Sequence, residues 1–281
     1  MWLVVLLSIF VNCAVFADVQ LRTKVYDIDH GHDGEETLIL LTSGHVARLK
    51  PTKNKTQNNF EQIKKAQQWL DVTLNAKNEI ERFTVTAAAS DLSGKANLVQ
   101  PLPNEDYVPT VIPSMEEARA IFRQARYVNK DSQCFNRAHI WSYEWFVNNN
   151  VNSNKTWIFF TRRYIRKFKF EWWFHVAPSV RVMEDGIVKE KVMDVKYSRG
   201  PLNLKNWTDI FMRDDAVCPR VETYSDYANY PESGTCFYMR SSMYYYQPVD
   251  IESQETWGTM KPNWYDTEVK AAYLEAFDEV I

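Results

Sequence analysis

Histidine and cysteine are scarce in this chain of 281 residues, with five of the first and four of the second. A site built on either type therefore has few possible members. An excess of one charge is also missing: 33 basic residues against 36 acidic ones leave a formal net charge of −3. That balance argues against a general polyanion binder. Beyond residue 17 no stretch has the apolar length to span a bilayer. No internal repeat is visible, and low-complexity sequence is limited to the Asn-rich run NNNVNSNKT. Aromatic residues, by contrast, make up 14% of the chain. They crowd its second half, a pattern that suits a dense core and an aromatic-walled cleft.

The first 17 residues, MWLVVLLSIFVNCAVFA, carry an apolar run of signal-peptide length and end with the small residues Val15 and Ala17 at the −3 and −1 positions of an export site. The expected cut precedes Asp18 and sends the protein to a periplasm or out of the cell. Removal of Cys13 leaves Cys134, Cys218 and Cys236. An oxidising compartment favours disulfides, and an odd count leaves one thiol over. Cys218 and Cys236 flank PRVETYSDYANYPESGT, a loop rich in turn formers. A local staple there is worth roughly 3 kcal/mol on the chain-entropy view, and Cys134 is then the odd one out.

Residues 18–83 read as a small N-terminal α+β unit. GEETLILLTSGHVARLK forms a hairpin turning at Ser43–Gly44, and NNFEQIKKAQQWLDVTL places Phe60, Ile63, Ala66, Leu70 and Leu74 at helical spacing. Residues 84–113, with prolines at 101, 103, 109 and 113, read as a linker. The unit at 114–281 opens with a capping box, Ser114 to Glu117, before the helical MEEARAIFRQARYV. A helix from Cys134 to about Asn148 follows. Three strands come next, TWIFFTRRYI, FKFEWWFHVAPSVRVM and IVKEKVMDVKYS, the last two joined by a turn at Asp185–Gly186. TEVKAAYLEAFDEV is a closing helix that packs back on the core.

A cysteine in the first turn of a helix meets unpaired backbone N–H groups and the positive end of the macrodipole, both of which favour a thiolate. The same N–H groups suit an oxyanion. A histidine base must lie within hydrogen-bond reach. His30, His32 and His45 belong to the N-terminal unit, and His139 lies about 140° round the helix from Cys134. His175 remains. A two-residue turn at Asp185–Gly186 puts His175, Ala177, Asp194 and Lys196 on one face, with Asp194 diagonal to His175 at a Cα separation of about 7–8 Å. A three-residue loop would instead send Asp194 to the other face.

Three segments containing these residues, CFNRAH, WWFHVAP and VMDVKYSRGPLNLKNW, resemble the signature segments of the protein-glutamine glutaminases. The resemblance covers roughly residues 110–215. It implies an α+β fold with a papain- or transglutaminase-like core, in which the nucleophile helix packs on an antiparallel sheet. It also implies a Cys134–His175–Asp194 triad, deamidation of glutamine side chains in a protein or peptide substrate, and no metal or organic cofactor. Family members are made with a pro-region that occupies the active site, and residues 18 to about 105 are its counterpart by position. Val195 stands where members carry proline. A cysteine peptidase or transglutaminase with the same trio, and a non-catalytic exported binding protein, are the competing readings.

Other features have plainer explanations. Cys134 taken alone would be an inert core thiol. RRYIRKFKFEWW reads as a strand burying Phe168, Phe170, Trp172 and Phe174 on one face, rather than as a nucleic-acid surface. DIDHGHDGEE reads as a solvated acidic loop, not a metal site. Trp172, Trp173, Trp207 and MYYYQ serve a groove or the core, and Asn54, Asn154 and Asn206 begin glycosylation sequons. No nucleic acid and no lasting membrane insertion are expected among the partners.

Overall fold

The structure, a computed structural model, describes residues 18–32, 35–49, 54–87, 107–128, 132–229, 234–257 and 264–277. The expected export signal with Cys13, and residues 88–106 of the expected linker, lie outside them. The fold is mixed α+β, built on two mainly antiparallel sheets and two hydrophobic cores.

The first sheet is ordered β3-β2-β1-β4-β5. Its central strand, β1 (Val19–Asp29), pairs through its first half with β4 (Trp69–Leu74) and through its second with β2 (Thr37–Leu41), the register shifting between Val25 and Asp27. The expected hairpin joins β2 to β3 (Val46–Leu49), and Gly44 holds the left-handed φ of +88° that its turn needs. Strand β5 (Ile80–Thr86) forms the far edge. Helix α1 (Asn54–Lys65) drops Phe60 and Ile63 onto one face. The helix expected to continue through Leu74 stops at Lys65, and Gln67 turns the chain with φ 51°. Leu70, Val72 and Leu74 fit a period of two, and pairing with β1 and β5 satisfies their backbone groups as a strand.

The second sheet is ordered β10-β7-β8-β6, with β9 also paired to β8. Strands β7 (Asn154–Phe160), β8 (Phe174–Glu184), β9 (Ile187–Val192) and β10 (Cys236–Ser242) are antiparallel, while β6 (Val111–Ile112) runs parallel to β8. Ser114 caps α2 (Met115–Arg123), accepting from the Glu117 N–H at 3.2 Å. Helix α3 (Cys134–Asn149) lies against β8 and against the closing helix (Trp264–Phe277). The strand expected across TWIFFTRRYI ends at Phe160. Thr161 then caps α4 (Arg162–Phe168) by accepting from the Tyr164 N–H, and Lys169 ends the helix with φ 51°. The next strand accordingly begins at Phe174, so Phe168, Phe170 and Trp172 do not share the strand face expected for them. A cap at Thr161 and basic side chains in the last turn stabilise the helix, and side-chain alternation alone could not show this.

Strand β2 is buried on both faces. Ile39 and Leu41 belong to the small core of the first sheet, while Leu38 and Leu40 enter the larger core around the second. Tyr26 of β1 stacks on Trp173 at 4.5 Å, and the Trp173 indole donates to the Leu41 carbonyl at 2.8 Å. The two sheets therefore share a packed interface.

Candidate active site

Cys134 is the first residue of α3, after an extended N-cap at Gln133, and is 9% exposed. Its helix is anchored on the large core by Phe135, Ala138, Ile140, Trp141 and Trp145. His175 is the second residue of β8 and is 1% exposed. Asp194 reaches it because of the β8–β9 turn. Asp185 and Gly186 both take positive φ, the signature of a two-residue hairpin, and pairing runs from Glu184–Ile187 to Ser179–Val192. One more ladder bond follows, from the Met193 N–H to the Pro178 carbonyl at 2.8 Å. At Asp194 the chain turns away, its carbonyl accepting from the Tyr197 and Ser198 N–H groups at 3.1 and 2.9 Å. Lys196, expected on the same sheet face as His175, is therefore in a turn outside the ladder.

His175 Nε2 lies 2.7 Å from Asp194 Oδ2, which also accepts from the Trp207 indole at 2.9 Å. Trp207 belongs to α5 (Leu204–Thr208). The Cys134 thiol lines the same cavity as this ring and adds to the stabilisation of its cation. The imidazole is held among Phe211, Tyr197, Trp172 and Trp207, with centroids 4.5 to 5.7 Å away. Burial works against its cation, but the charge and hydrogen bond of Asp194, helped by Cys134, prevail and push its pKa up to about 9. Burial also opposes ionisation of Asp194. His175, the Trp207 indole and the more distant Arg137 charge outweigh it and hold the carboxyl below its usual range.

A cavity of about 460 Å³ opens on Cys134 and His175. The second unit lines it with Gln133, Cys134, Arg137, Trp172, Phe174, His175 and Tyr197, and the first with residues 18–21 and the turn Ser43–Gly44–His45. That turn is tied to the chain leading into β8: the Trp173 N–H donates to the Gly44 carbonyl at 2.9 Å, and the Val46 N–H to the Glu171 carbonyl at 2.8 Å. A Cβ on Gly44 would come within 3.2 Å of the Phe174 ring.

Cys218 and Cys236 form the expected disulfide, and Cys134 is a free thiol. His139 lies apart from the trio, buried, with Lys155 Nζ 2.6 Å from its Nδ1. Burial and the Lys155 charge depress its pKa well below the usual value. His30 pairs with Glu61 at the surface, at 2.9 Å. Among the described residues no cluster of His, Cys, Asp and Glu could hold a metal ion, and no helix is long and apolar enough to cross a membrane. Of the aromatic residues proposed for a groove, Trp172 lines the cavity, Trp173 packs against Tyr26, and Trp207 anchors Asp194. Sequence reasoning missed Arg137, although it follows Cys134 by one helical turn and the i, i+3 spacing puts it on the same side of α3. It also missed His45, whose place depends on long-range docking.

Residues 113–211 match a family model for glutamine deamidases described as glutaminase. The matched segment is about a third of the chain. It contains Cys134, His175 and Asp194. The chain is also similar to a solved structure of a pro-protein-glutaminase, at 17% identity over 82% of this chain and 84% of that one, with a TM-score of 0.48. A second similar structure is the protein-glutaminase from Chryseobacterium proteolyticum, at 15% identity over 50% of this chain and 77% of that one, with a TM-score of 0.34. Among curated proteins, none matches.

Proposed function

We propose that the protein hydrolyses the side-chain amide of glutamine in proteins or peptides to glutamate and ammonia, through a Cys134–His175–Asp194 triad on a papain- or transglutaminase-like core. The observation that carries this reading is the presence in one cavity of a helix-start thiol and an imidazole whose Nε2 is tied to a buried carboxylate, all within the glutaminase-matching segment. The Cys134 sulfur attacks the carboxamide carbon, and backbone N–H groups of the first turn of α3 receive the oxyanion. The C–N bond breaks as His175 gives its proton to the leaving ammonia, and a thioester remains. Water attacks that thioester with His175 taking its proton, which releases glutamate and restores the thiol. No step needs a metal or an organic cofactor.

The N-terminal unit is proposed to restrain this activity, because its Ser43–His45 turn walls the cavity. Export with loss of residues 1–17 fits the disulfide, a bond that persists in oxidising compartments. Incubation with a glutamine-rich protein tests the function. Ammonia release without new N-termini or cross-links, abolished in Cys134→Ser, is expected. New N-termini would mark a peptidase instead, and cross-links a transglutaminase.

A further inference from the structure

Two segments have no part in the proposed chemistry, the acidic stretch from Asp27 to Glu36 and the basic helix α4, and they meet each other. Asp27 lies 3.0 Å from Arg162, and Asp29 lies 2.5 Å from Arg166. Glu35 is 3.5 Å from Arg166, and Glu36 pairs with Lys169. Each of these contacts joins a carboxylate of the first unit to a cation of the second. At the other end of the same interface sits His45, half-buried at the tip of the β2–β3 hairpin, bridged through its backbone to Trp172 and 3.3 Å from the Ser43 hydroxyl.

We infer that this interface is an acid-released latch, in which protonation of His45, and at lower pH of Asp27 and Glu36, lifts the Ser43–His45 turn off the Cys134–His175 cleft. The biological consequence, exposure of a working nucleophile, rests on the proposed function; the release itself does not.

Of the groups facing His45, Arg137 and the cationic form of His175 make a second cation costly there, while the carboxylates favour one. Asp18 lies just before β1, Cys134 and Arg137 come from α3, Glu171 and His175 from the approach to β8 and its start, and Asp194 and Tyr197 from the turn after β9. Asp194 is already engaged by His175 and Trp207. Burial and the Arg137 guanidinium push the docked imidazole down to about 4. Released, it returns to an ordinary value of about 6.5. The docked form thus binds fewer protons, and docking loses stability as pH falls from about 6.5 toward 4. From these two values the histidine alone shifts the docking equilibrium roughly 20-fold between pH 7 and pH 5. The carboxylates act in the same direction at lower pH. Burial opposes their ionisation, but Lys64 and Arg162 hold Asp27 below its usual range, and Lys169 and Arg48 do so for Glu36.

Hydrogen exchange on the full chain tests the latch. The amides to follow are those of Trp173 and Val46, which donate across the interface, with Val72 inside the first sheet as reference. Corrected for the intrinsic pH dependence, protection at Trp173 and Val46 should fall roughly 20-fold from pH 7 to pH 5 while Val72 holds steady. His45→Gln should remove most of that fall. If His45→Gln is already released at pH 7, an NMR titration of His45 in the full chain decides, since the docked imidazole should titrate well below the ordinary value of about 6.5. Equal protection at both pH values in the wild type would overturn the latch, as would an undiminished fall in a docked His45→Gln or a His45 titration at the ordinary value of about 6.5. Because the readout is exchange, a latch that opens on an inactive protein would count against the proposed function alone, and an active enzyme without the pH response would count against the latch alone.

Discussion

Asp194 lies one residue beyond the last ladder bond of the β8–β9 hairpin and closes a 2.7 Å hydrogen bond to Nε2 of His175. The bond does two things: it fixes the orientation of the ring through Nε2, and it stabilises the imidazolium. In Asp194→Asn the second effect is lost and the first is disturbed. Under the proposed mechanism kcat/KM should fall by roughly 10²–10⁴-fold. The alkaline limb of the pH profile, expected near the His175 value of about 9, should move to lower pH. The same linkage acts on stability. With its pKa raised in the fold, His175 contributes stability fully below about 6.5, and that contribution is lost as pH rises through about 9. Thermal melts at pH 7 and 9.5 should therefore show a larger stability advantage of wild type over variant at the lower pH.

Trp207 anchors the carboxylate from the other side, its indole donating to Asp194 Oδ2 at 2.9 Å. Trp207→Phe keeps most of the buried ring and removes the donor. A buried acceptor deprived of a partner costs about 1–3 kcal/mol. Urea unfolding should show a lower midpoint with an unchanged slope, and kcat should fall less than in Asp194→Asn because the His175 bond survives. No change in midpoint would mean that this hydrogen bond contributes nothing net.

The parts of the site that were legible in the sequence are those set by local chemistry. The Asp185–Gly186 turn accepts positive φ at both positions, and this determines the β8–β9 register and hence the face on which Asp194 emerges. The start of α3 at Cys134 and the Cys218–Cys236 bridge were likewise readable from turn and helix signals and from cysteine arithmetic. The Lys196 position was not, because the chain leaves the ladder at Asp194 to satisfy its own turn. Helix α4 was misread because Phe168, Phe170 and Trp172 alternate like a strand, while the deciding bond is a cap from Thr161. The placement of His45 beside the cleft arises from the docking of two sheets, and periodicity along one segment carries no information about that.

The Cys218–Cys236 bridge spans 18 residues of sequence and ties the start of β10 to the loop after α5. By the chain-entropy estimate, closing a loop of this length contributes roughly 3 kcal/mol. The double variant Cys218→Ser/Cys236→Ser should lose about that much in chemical denaturation. Neither cysteine lines the cavity, so turnover at 25 °C should stay within a factor of about two while a folded majority remains. A comparable loss of turnover with little loss of stability would show that the bridge supports the cleft directly.

Removal of the N-terminal unit tests whether the cover over the cavity restrains the enzyme. In the intact chain Ser43, Gly44 and His45 wall the space above Cys134, and the Trp173 N–H is engaged by the Gly44 carbonyl. Under the proposed function, a protein substrate displaces that turn before its glutamine meets the thiol. A chain beginning near residue 105, shown to be folded by near-UV circular dichroism, should therefore turn over a protein substrate faster than the full chain. The gain should be smaller on a short glutamine peptide, which needs less of the covered surface. Removal also uncovers Trp173, on which Tyr26 stacks, and the apolar surface against Leu38 and Leu40. The truncated protein should accordingly melt at a lower temperature than the full chain. Unchanged or lower turnover in a folded truncation would mean that the N-terminal unit supports the cleft rather than blocks it.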